Sequence, residues 1–572
     1  MPTPLMIDLI RGHMRQRPGA PALYQDGAWL TFGELGSVFG TFSAHLRKAM
    51  AEHATVTVRA AKSAEGIALL VACWAAGYRT LLVAPGSGED LVRLLSERAG
   101  SIATIASAGG ELVITPHRAG AARSADAARS AGGPALLYTT SGSTGTPRIV
   151  ECAARGIDAF TAWVNREFGL NTDRVVLSYA PLNFDISLLD VWAPLAAGGK
   201  VALVAHDQAL DGNHLIGMVE RARCAVIQAV PLFFELFAEA ARDRSFPSVE
   251  QLIFTGDVMP ADVLKRLPEV FPAAVIKNVY GCTETNDSFL HEIDQATAMA
   301  GGPVPIGTPI AGVRELILGD NGSVVAGVGA GELLVSTPFQ ASGYLDPLAS
   351  AAKWTTMVDG VRYFRSGDLV RRDAAGITHL VGRKDSRVKV RGVTTDVQEV
   401  ERVISQHPAV AEVAVVAVPS ETGGHELNAV IRSRDGAELT GLLLRQYCAA
   451  RLPLTAVPTR IELAEWLPRT VTGKLDRVLI AQQSRPRSVS VESEVRDFII
   501  GNFSRDIAPA DLDNDLDLID NAVMNSLQVV RLISWLGSHY DVSLKDVQMT
   551  PQDFRSVASI AHFVLTILEA RQ

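Results

Sequence analysis

Cysteine is scarce in this chain. Five residues in 572, Cys73, Cys152, Cys224, Cys282 and Cys448, lie far apart with no C-x-x-C spacing. An odd, scattered set supplies neither a disulfide framework nor a thiolate metal site, and it fits a reducing compartment. Positive charge is also short: 53 Lys and Arg against 62 Asp and Glu leave a net charge of −9. That balance argues against a general nucleic-acid binder, whose affinity rests on clustered cations over phosphates. No uninterrupted apolar run reaches the ~20 residues needed to span a membrane. The first stretch, MPTPLMIDLIRGHMRQRPGAPAL, lacks the layout of a secretory leader and alternates apolar with charged positions as an amphipathic helix does. Together these absences predict a soluble cytoplasmic protein with neither a membrane nor a nucleic acid as partner.

A chain of 572 residues that is 48% apolar is too long for one hydrophobic core. The runs EGIALLVACWAAG, RTLLVAP, DRVVLSYAP, KVALVAH, CAVIQAVP and EQLIFTGD read as buried strands that alternate with helical patterns. Repeated strand, turn and helix indicate α/β layers with largely parallel sheets, which assigns residues 1–384 to a large α/β domain. Residues 385–482 have a different rhythm. VKVRG, the helix candidate DVQEVERVISQHP, the strand VAEVAVVAVP and TRIELAEWLP describe a small α+β domain. A polar Pro- and Ser-containing stretch over 483–492 reads as a linker. Residues 493–572 are helical in pattern and of a size that suits an all-α four-helix bundle.

Five stretches carry candidate chemistry. TTSGSTGTPR, residues 139–148, leaves an apolar run and offers glycines, hydroxyls and one cation, Arg148, a set suited to phosphate oxygens. It is not the P-loop pattern, since no Lys follows its second glycine, and by itself it reads equally well as a surface turn. NVYGCTETN presents Tyr280, Thr283, Glu284 and Thr285; an acid can hold Mg²⁺ and an aromatic can stack on a base. YFRSGDLVRRD places Asp368 after a glycine, where it can accept from paired hydroxyls. LVGRKDSRVKVRG alternates basic residues around Asp385 at the compositional boundary, and PRTVTGKLDR carries Lys474 in a Gly-Lys turn. Singly, these last two read as a solvated charged strand and an exposed lysine.

In this order, from LTFGEL near Leu30 to Lys474, the stretches resemble the adenylate-forming ligases: acyl-CoA synthetases, luciferases and the adenylation domains of nonribosomal peptide synthetases. The resemblance implies the following roles. Thr139, Thr140, Ser141, Gly142, Ser143, Thr144, Gly145 and Arg148 would wrap the ATP phosphates, with Thr144 also catalytic. Tyr280 would pack on adenine beside Thr283, Asp368 would hold the ribose with Arg383 nearby, and Glu284 would ligate Mg²⁺. Lys474 would pair with the substrate carboxylate and the phosphate. Asp385 would be the hinge about which the small domain turns.

APLNFDISLLDVWAPLAAGG is similar to the stretch that, in amino-acid-activating members, supplies an Asp for the α-ammonium; here that residue is Asp185. The same resemblance implies a pocket of Ile186, Leu189, Leu232, Ile253, Thr255, Val279, Asp287 and Ser288. Asp287 either meets a polar or cationic side chain at the pocket floor or points to solvent.

Further along, DLDLIDNAVMNSLQVVRLISWLG opens an amphipathic pattern at Ser526. A serine there is an ordinary N-cap. The stretch is also similar to peptidyl and acyl carrier domains, in which this serine takes a 4′-phosphopantetheine arm. The implied whole is a ligase that forms aminoacyl-AMP and loads its own carrier for specialised metabolite biosynthesis. It would have a phosphopantetheinyl transferase and a downstream condensing, transferase or tailoring enzyme as partners, and monomer as the default state. The competing reading is an acyl or aryl acid ligase that serves a carrier protein or free CoA. The sequence departs from the family pattern at Arg148, Ala154, Thr394 to Asp396 and Asn525.

Overall fold

The computed structural model describes residues 5–117, 135–140, 147–319, 321–384, 387–390, 393–419, 425–434, 437, 439–452, 456–470, 473–484, 491–503, 512–521, 523–524, 526–540 and 549–569. The opening amphipathic pattern forms the helix Leu5–Gln16, which buries Met6, Ile7, Ile10 and Met14. LTFGEL opens the next helix, Phe32–Ala49. Thr31 caps it, its hydroxyl accepting from the Glu34 amide while the Glu34 carboxylate accepts from the Thr31 amide, a reciprocal capping box.

The first 384 residues carry three sheets. The largest has nine strands. Across it run Thr308–Pro309, Asn286–Ile293, Val275–Cys282, Gln251–Thr255, Val226–Ala229, Val175–Ser178, Lys200–Leu203, Pro21–Gln25 and Ala28–Thr31. Every pairing from Val275–Cys282 to Pro21–Gln25 is parallel, and the pairings outside that block are antiparallel. A second, seven-stranded sheet contains the strand Ala135–Thr140, antiparallel to Arg148–Ala153 with Thr140 opposite Arg148. The Gly- and hydroxyl-rich stretch therefore joins two strands of a hairpin. A third sheet, of five strands, pairs Asp368 on Arg362–Arg372 with Arg383 on Thr378–Arg383.

One run differs from its expected conformation. EGIALLVACWAAG was read as a strand but forms the helix Ala64–Ala75, in which every residue from Ala64 to Trp74 except Glu65 is buried. A helix enclosed on nearly all faces shows no apolar periodicity, so a short apolar run cannot tell it from a buried strand. Its Trp74 meets Trp192 edge-on, with ring centroids 4.6 Å apart. Trp192 ends the π-helical turn Leu188–Trp192.

The small domain folds as read. Strands Arg387–Val390, Val393–Asp396, Val410–Pro419, His425–Ser433 and Arg460–Leu463 form its sheet, against which the helix Val397–Ser405 packs. The stretch 483–492 is shorter as a connection than expected, because one helix runs on to Ser484 and the next begins at Val491. Beyond it, the described residues form the α-helices Val491–Phe503, Ser526–His539 and Val557–Glu569 and the 3-10 turn Pro551–Phe554. They share a separate core that includes Val495, Ile499, Leu532, Leu536, Ile560 and Val564, and Trp535 stacks on Phe498 at 4.1 Å.

A half-buried lysine, Lys62, and a buried carboxylate, Asp190, fix the corner between the strand Val175–Ser178 and the π-helical turn. The Lys62 ammonium donates to the carbonyls of Ser178 (3.1 Å), Tyr179 (2.5 Å) and Ala180 (3.1 Å). Asp190, fully buried in the π-helical turn, accepts from the Tyr179 amide at 3.1 Å. Burial moves both groups toward neutrality, Lys62 down and Asp190 up, and each charge opposes the shift of the other. Removing one member leaves the other uncompensated. Lys62→Met leaves three carbonyls without their donor and is expected to cost roughly 1–3 kcal/mol in the first transition of urea unfolding, and Asp190→Asn added to it should recover part of that loss. A cost below about 1 kcal/mol would show that the pair does not hold this corner.

Candidate functional site

In a parallel sheet, ligands gather beyond the C-terminal ends of neighbouring strands, where side chains from successive loops converge. The nine-stranded sheet follows that rule. Asp185 lies on the loop after Val175–Ser178, Gln228 near the end of Val226–Ala229, Thr255 at the end of Gln251–Thr255, and Cys282 and Thr283 at the end of Val275–Cys282. These residues, with Ile186, Asn286, Asp287, Phe160 and Lys474, line one cavity of about 90 Å³. Asp185 is held in place by a run of turns. The Ser187 amide donates to Phe184, that of Leu188 to Asp185 and that of Leu189 to Ile186.

Lys474 enters from the small domain. Its turn is closed by the Thr470 amide on the Lys474 carbonyl at 2.7 Å and the Gly473 amide on Thr470 at 2.9 Å. Gly473 has φ +81°, and a Cβ there would lie 2.9 Å from Leu232 Cδ2. Glycine therefore both permits the turn and admits its close approach to the large domain. Gly256, at φ +87°, lies beside the Lys474 stem, where a Cβ would stand in ordinary contact 3.6 Å from Lys474 Cε. The arrangement is braced by Arg434 on Asp262 (2.7 Å) and by Arg432 between Glu235 and Glu412 (3.6 Å each).

The cavity is rich in carboxylates. Burial, and then the neighbouring Glu284, push Asp185 up to about 6, while Lys474 and the Thr283 hydroxyl pull it back. Burial and Asp185 push Asp287 up to about 8. Glu284, almost fully buried, accepts from the Tyr344 hydroxyl at 2.6 Å. The Arg148 guanidinium lies over the Tyr344 ring at 5.4 Å, which brings the base of the 139–148 hairpin to Glu284. A second group forms alongside. Asp368 accepts from Arg383 at 2.7 Å, from the Tyr280 hydroxyl and, through its own amide, donates to Ser366 at 3.0 Å.

The expected site residues therefore divide into several groups. Asp185, Ile186, Thr255, Asp287, Thr283 and Lys474 meet at one cavity, and Tyr280, Asp368 and Arg383 meet in one cluster. Thr139 and Thr140 are strand residues at the base of the hairpin. Leu189, Ile253 and Val279 belong to the packed core behind the cavity rather than to its wall. Ser288 is fully buried and bonds within its own turn, to Thr285 Oγ1 and the Asn286 carbonyl. Leu232 packs on the Lys474 turn instead of lining the cavity, and Gln228, which was not expected, occupies the wall. Alternation along a strand decides this, since Gln228 is on the strand itself while Leu232 is on the helix that follows. Ser141, Gly142, Ser143, Thr144, Gly145, Asp385 and Asn525 lie outside the described residues, as does the side chain of Ser526. The backbone of Ser526 opens the helix Ser526–His539.

Among the described residues no group of three or more side chains is arranged to hold a metal ion. A Mg²⁺ shared with a substrate's phosphate oxygens needs only one or two protein carboxylates. Glu284, a single buried carboxylate with Tyr344 already on one oxygen, has that character.

The model of the AMP-binding enzyme family matches residues 10–345, and that of the AMP-binding enzyme C-terminal domain matches residues 399–474. The L-proline–[L-prolyl-carrier protein] ligase of Streptomyces coelicolor is 33% identical over 62% of this chain and 66% of its own length. Phenyloxazoline synthase MbtB of Mycolicibacterium paratuberculosis is 28% identical over 93% of this chain, which spans 47% of that protein. The chain thus spans about half to two thirds of these relatives. The amide bond synthetase McbA of Marinactinospora thermotolerans shares the fold, with a TM-score of 0.68 at 22% identity over 84% of this chain and 99% of that one. With both its large and its small domain matched, the chain belongs to the AMP-binding enzyme family.

Proposed function

We propose that the chain activates an amino acid with ATP as aminoacyl-AMP and transfers it to the thiol of a 4′-phosphopantetheine arm on Ser526. The observation that carries this reading is the meeting of Asp185 and Lys474 in one cavity at the ends of the parallel strands. An anion there suits the α-ammonium of an amino acid, and a cation suits its carboxylate. A carboxylic acid without the amine would leave Asp185 buried and unpaired, which disfavours it.

In this reading the large domain is residues 1–384, the small mobile domain 385–482, the linker 483–492 and the carrier 493–572. Asp368 takes the ribose, with Arg383 and Tyr280 setting its orientation, and Tyr280 lies against the adenine. The hairpin loop and Arg148 hold the phosphates. Mg²⁺, when bound at Glu284, supplies positive charge against the phosphate oxygens. Attack of the substrate carboxylate on the α-phosphate brings anions together, so the work of the site is positioning and charge compensation. Lys474 provides a cation at the point where the two anions meet. The Asp385 hinge then lets the small domain withdraw that lysine and open a path for the thiol.

Two findings support the carrier part. The similarity to phenyloxazoline synthase extends over 93% of the chain, and the C-terminal helices have a core of their own with Ser526 at a helix start. The name of the prolyl relative includes a carrier protein as its acceptor. The arm would come from a phosphopantetheinyl transferase, and a downstream condensing, transferase or tailoring enzyme would take the loaded residue.

Intact-protein mass spectrometry of the phosphopantetheinylated full chain with ATP, Mg²⁺ and pooled amino acids should show an aminoacyl increment that Ser526→Ala abolishes. An increment retained in that variant would refute the carrier assignment. Lys474→Ala should lower amino-acid-dependent pyrophosphate exchange by about 100-fold or more, and an unchanged rate would remove Lys474 from the chemistry. The pH dependence follows from Asp185. Its ionised form is the one that pairs with an ammonium, so binding is full above about pH 6 and is lost as pH falls below it. The amino acid KM should rise toward tenfold per pH unit below 6, and Asp185→Asn should flatten that profile.

A further inference from the structure

Asp287 has no part in adenylation as described above, yet it occupies the same cavity. It lies on the strand Asn286–Ile293 opposite Gly281, is 8% exposed, and its Oδ2 is buried without a hydrogen-bond partner. Gln228, 1% exposed on a different strand, lines the same cavity with its side-chain oxygen also buried and unpartnered. The two acceptors come from separate elements, so the feature is not a local turn. A buried acceptor without a partner costs stability that a ligand's donor restores. Lys474 does not satisfy this end of the cavity. Its charge acts on Asp185, whereas the groups that shift Asp287 are its own burial and Asp185. With Asp185 assigned to one ammonium, a second ammonium brought against Asp287 would draw its carboxyl, pushed up to about 8 by burial and Asp185, into the ionised form and give Asp287 Oδ2 and Gln228 Oε1 the donors they lack.

The placement of the two carboxylates limits what carries that group. Asp185 and Asp287 line the same cavity, and Asp185 acts directly on the Asp287 carboxyl, so the two ammonium groups they would hold lie close together in the ligand. That closeness suits a spacer of one or two carbons to the second nitrogen rather than the four methylenes of lysine.

We propose that the substrate class is a short diamino acid of the 2,3-diaminopropionate or 2,4-diaminobutyrate kind, with its α-ammonium on Asp185 and its second ammonium on Asp287 and Gln228. The assignment rests on the adenylation reading, and its test separates the two. A site that pairs with a substrate nitrogen rejects the analogue that lacks it, because its own buried groups are then left unmatched. Alanine and serine are the analogues that lack it, and lysine is the analogue that carries it too far.

Pyrophosphate exchange should be measured for the full chain with L-2,3-diaminopropionate, L-2,4-diaminobutyrate, L-alanine, L-serine and L-lysine. One of the short diamino acids should exceed alanine, serine and lysine by about 100-fold or more in kcat/KM. In Asp287→Asn the ratio of diamino acid to alanine should fall by a similar factor, with melting temperature as the control for folding. If that variant does not fold, Gln228→Leu supplies the test through a roughly tenfold fall in the same ratio. Exchange with alanine, serine or lysine at rates equal to or above the diamino acids would overturn the proposal while leaving adenylation intact. No exchange with any amino acid would overturn both.

Discussion

The structure turns on the crowding of carboxylates at the C-terminal ends of a parallel sheet. Asp185 and Asp287 line one poorly solvated cavity with Glu284 near Asp185; Glu284 raises the cost of ionising Asp185, and Asp185 that of ionising Asp287. Like charges at close range in such surroundings persist only with cations or donors aimed at them. The chain supplies those from distant sequence. Lys62 and Asp190 brace the corner that holds Asp185, the Tyr344 hydroxyl caps Glu284, and Lys474 reaches in from a separate domain. The cleft is thus rich in carboxylates, with Lys474 as a cation supplied by the small domain.

In the proposed reaction that cation has to move, and the contacts around it are of a kind that can part. The Lys474 turn meets the large domain at Gly256 and at Leu232 beside Gly473, and among the described residues Arg434 on Asp262 and Arg432 on Glu235 add arginine–carboxylate contacts between the two domains. The apolar clusters of the small domain are drawn from its own residues, Val390 to Ala456 and Ala414 to Ile480. Polar interfaces of that kind part at modest cost. A reaction with two chemically different halves gains from this. In that proposed sequence, the cation that helps join carboxylate to phosphate would have to leave before a thiol could reach the same carbon.

Much of this was legible in the sequence, and the parts that were not share a cause. The parallel core strands, the small domain and the C-terminal helices announce themselves through local pattern. DRVVLSYAP and EQLIFTGD become strands, and DVQEVERVISQHP becomes the helix Val397–Ser405. Asp185, Asp368 and Lys474 could be singled out because motif order places them. EGIALLVACWAAG was misjudged because a helix buried on nearly every face has lost the 3.6-residue signal. Gln228 was overlooked for Leu232 because its meaning depends on which strand faces the cavity, a matter of three-dimensional register. Lys62 and Asp190, 128 residues apart by their numbers, had no local signature at all. Nor did the unpartnered Oδ2 of Asp287.

The central claim is that this anion-rich cleft selects an acid by its amine. It is tested most directly by comparing pyrophosphate exchange for amino acids with exchange for the matched 2-hydroxy acids, each differing only at the group that would face Asp185. The account predicts exchange with an amino acid and at least a 100-fold lower kcat/KM for its hydroxy counterpart, on the order expected when a buried charge loses its partner. Equal exchange with both would contradict it, and would mean that Asp185 does not read the amine.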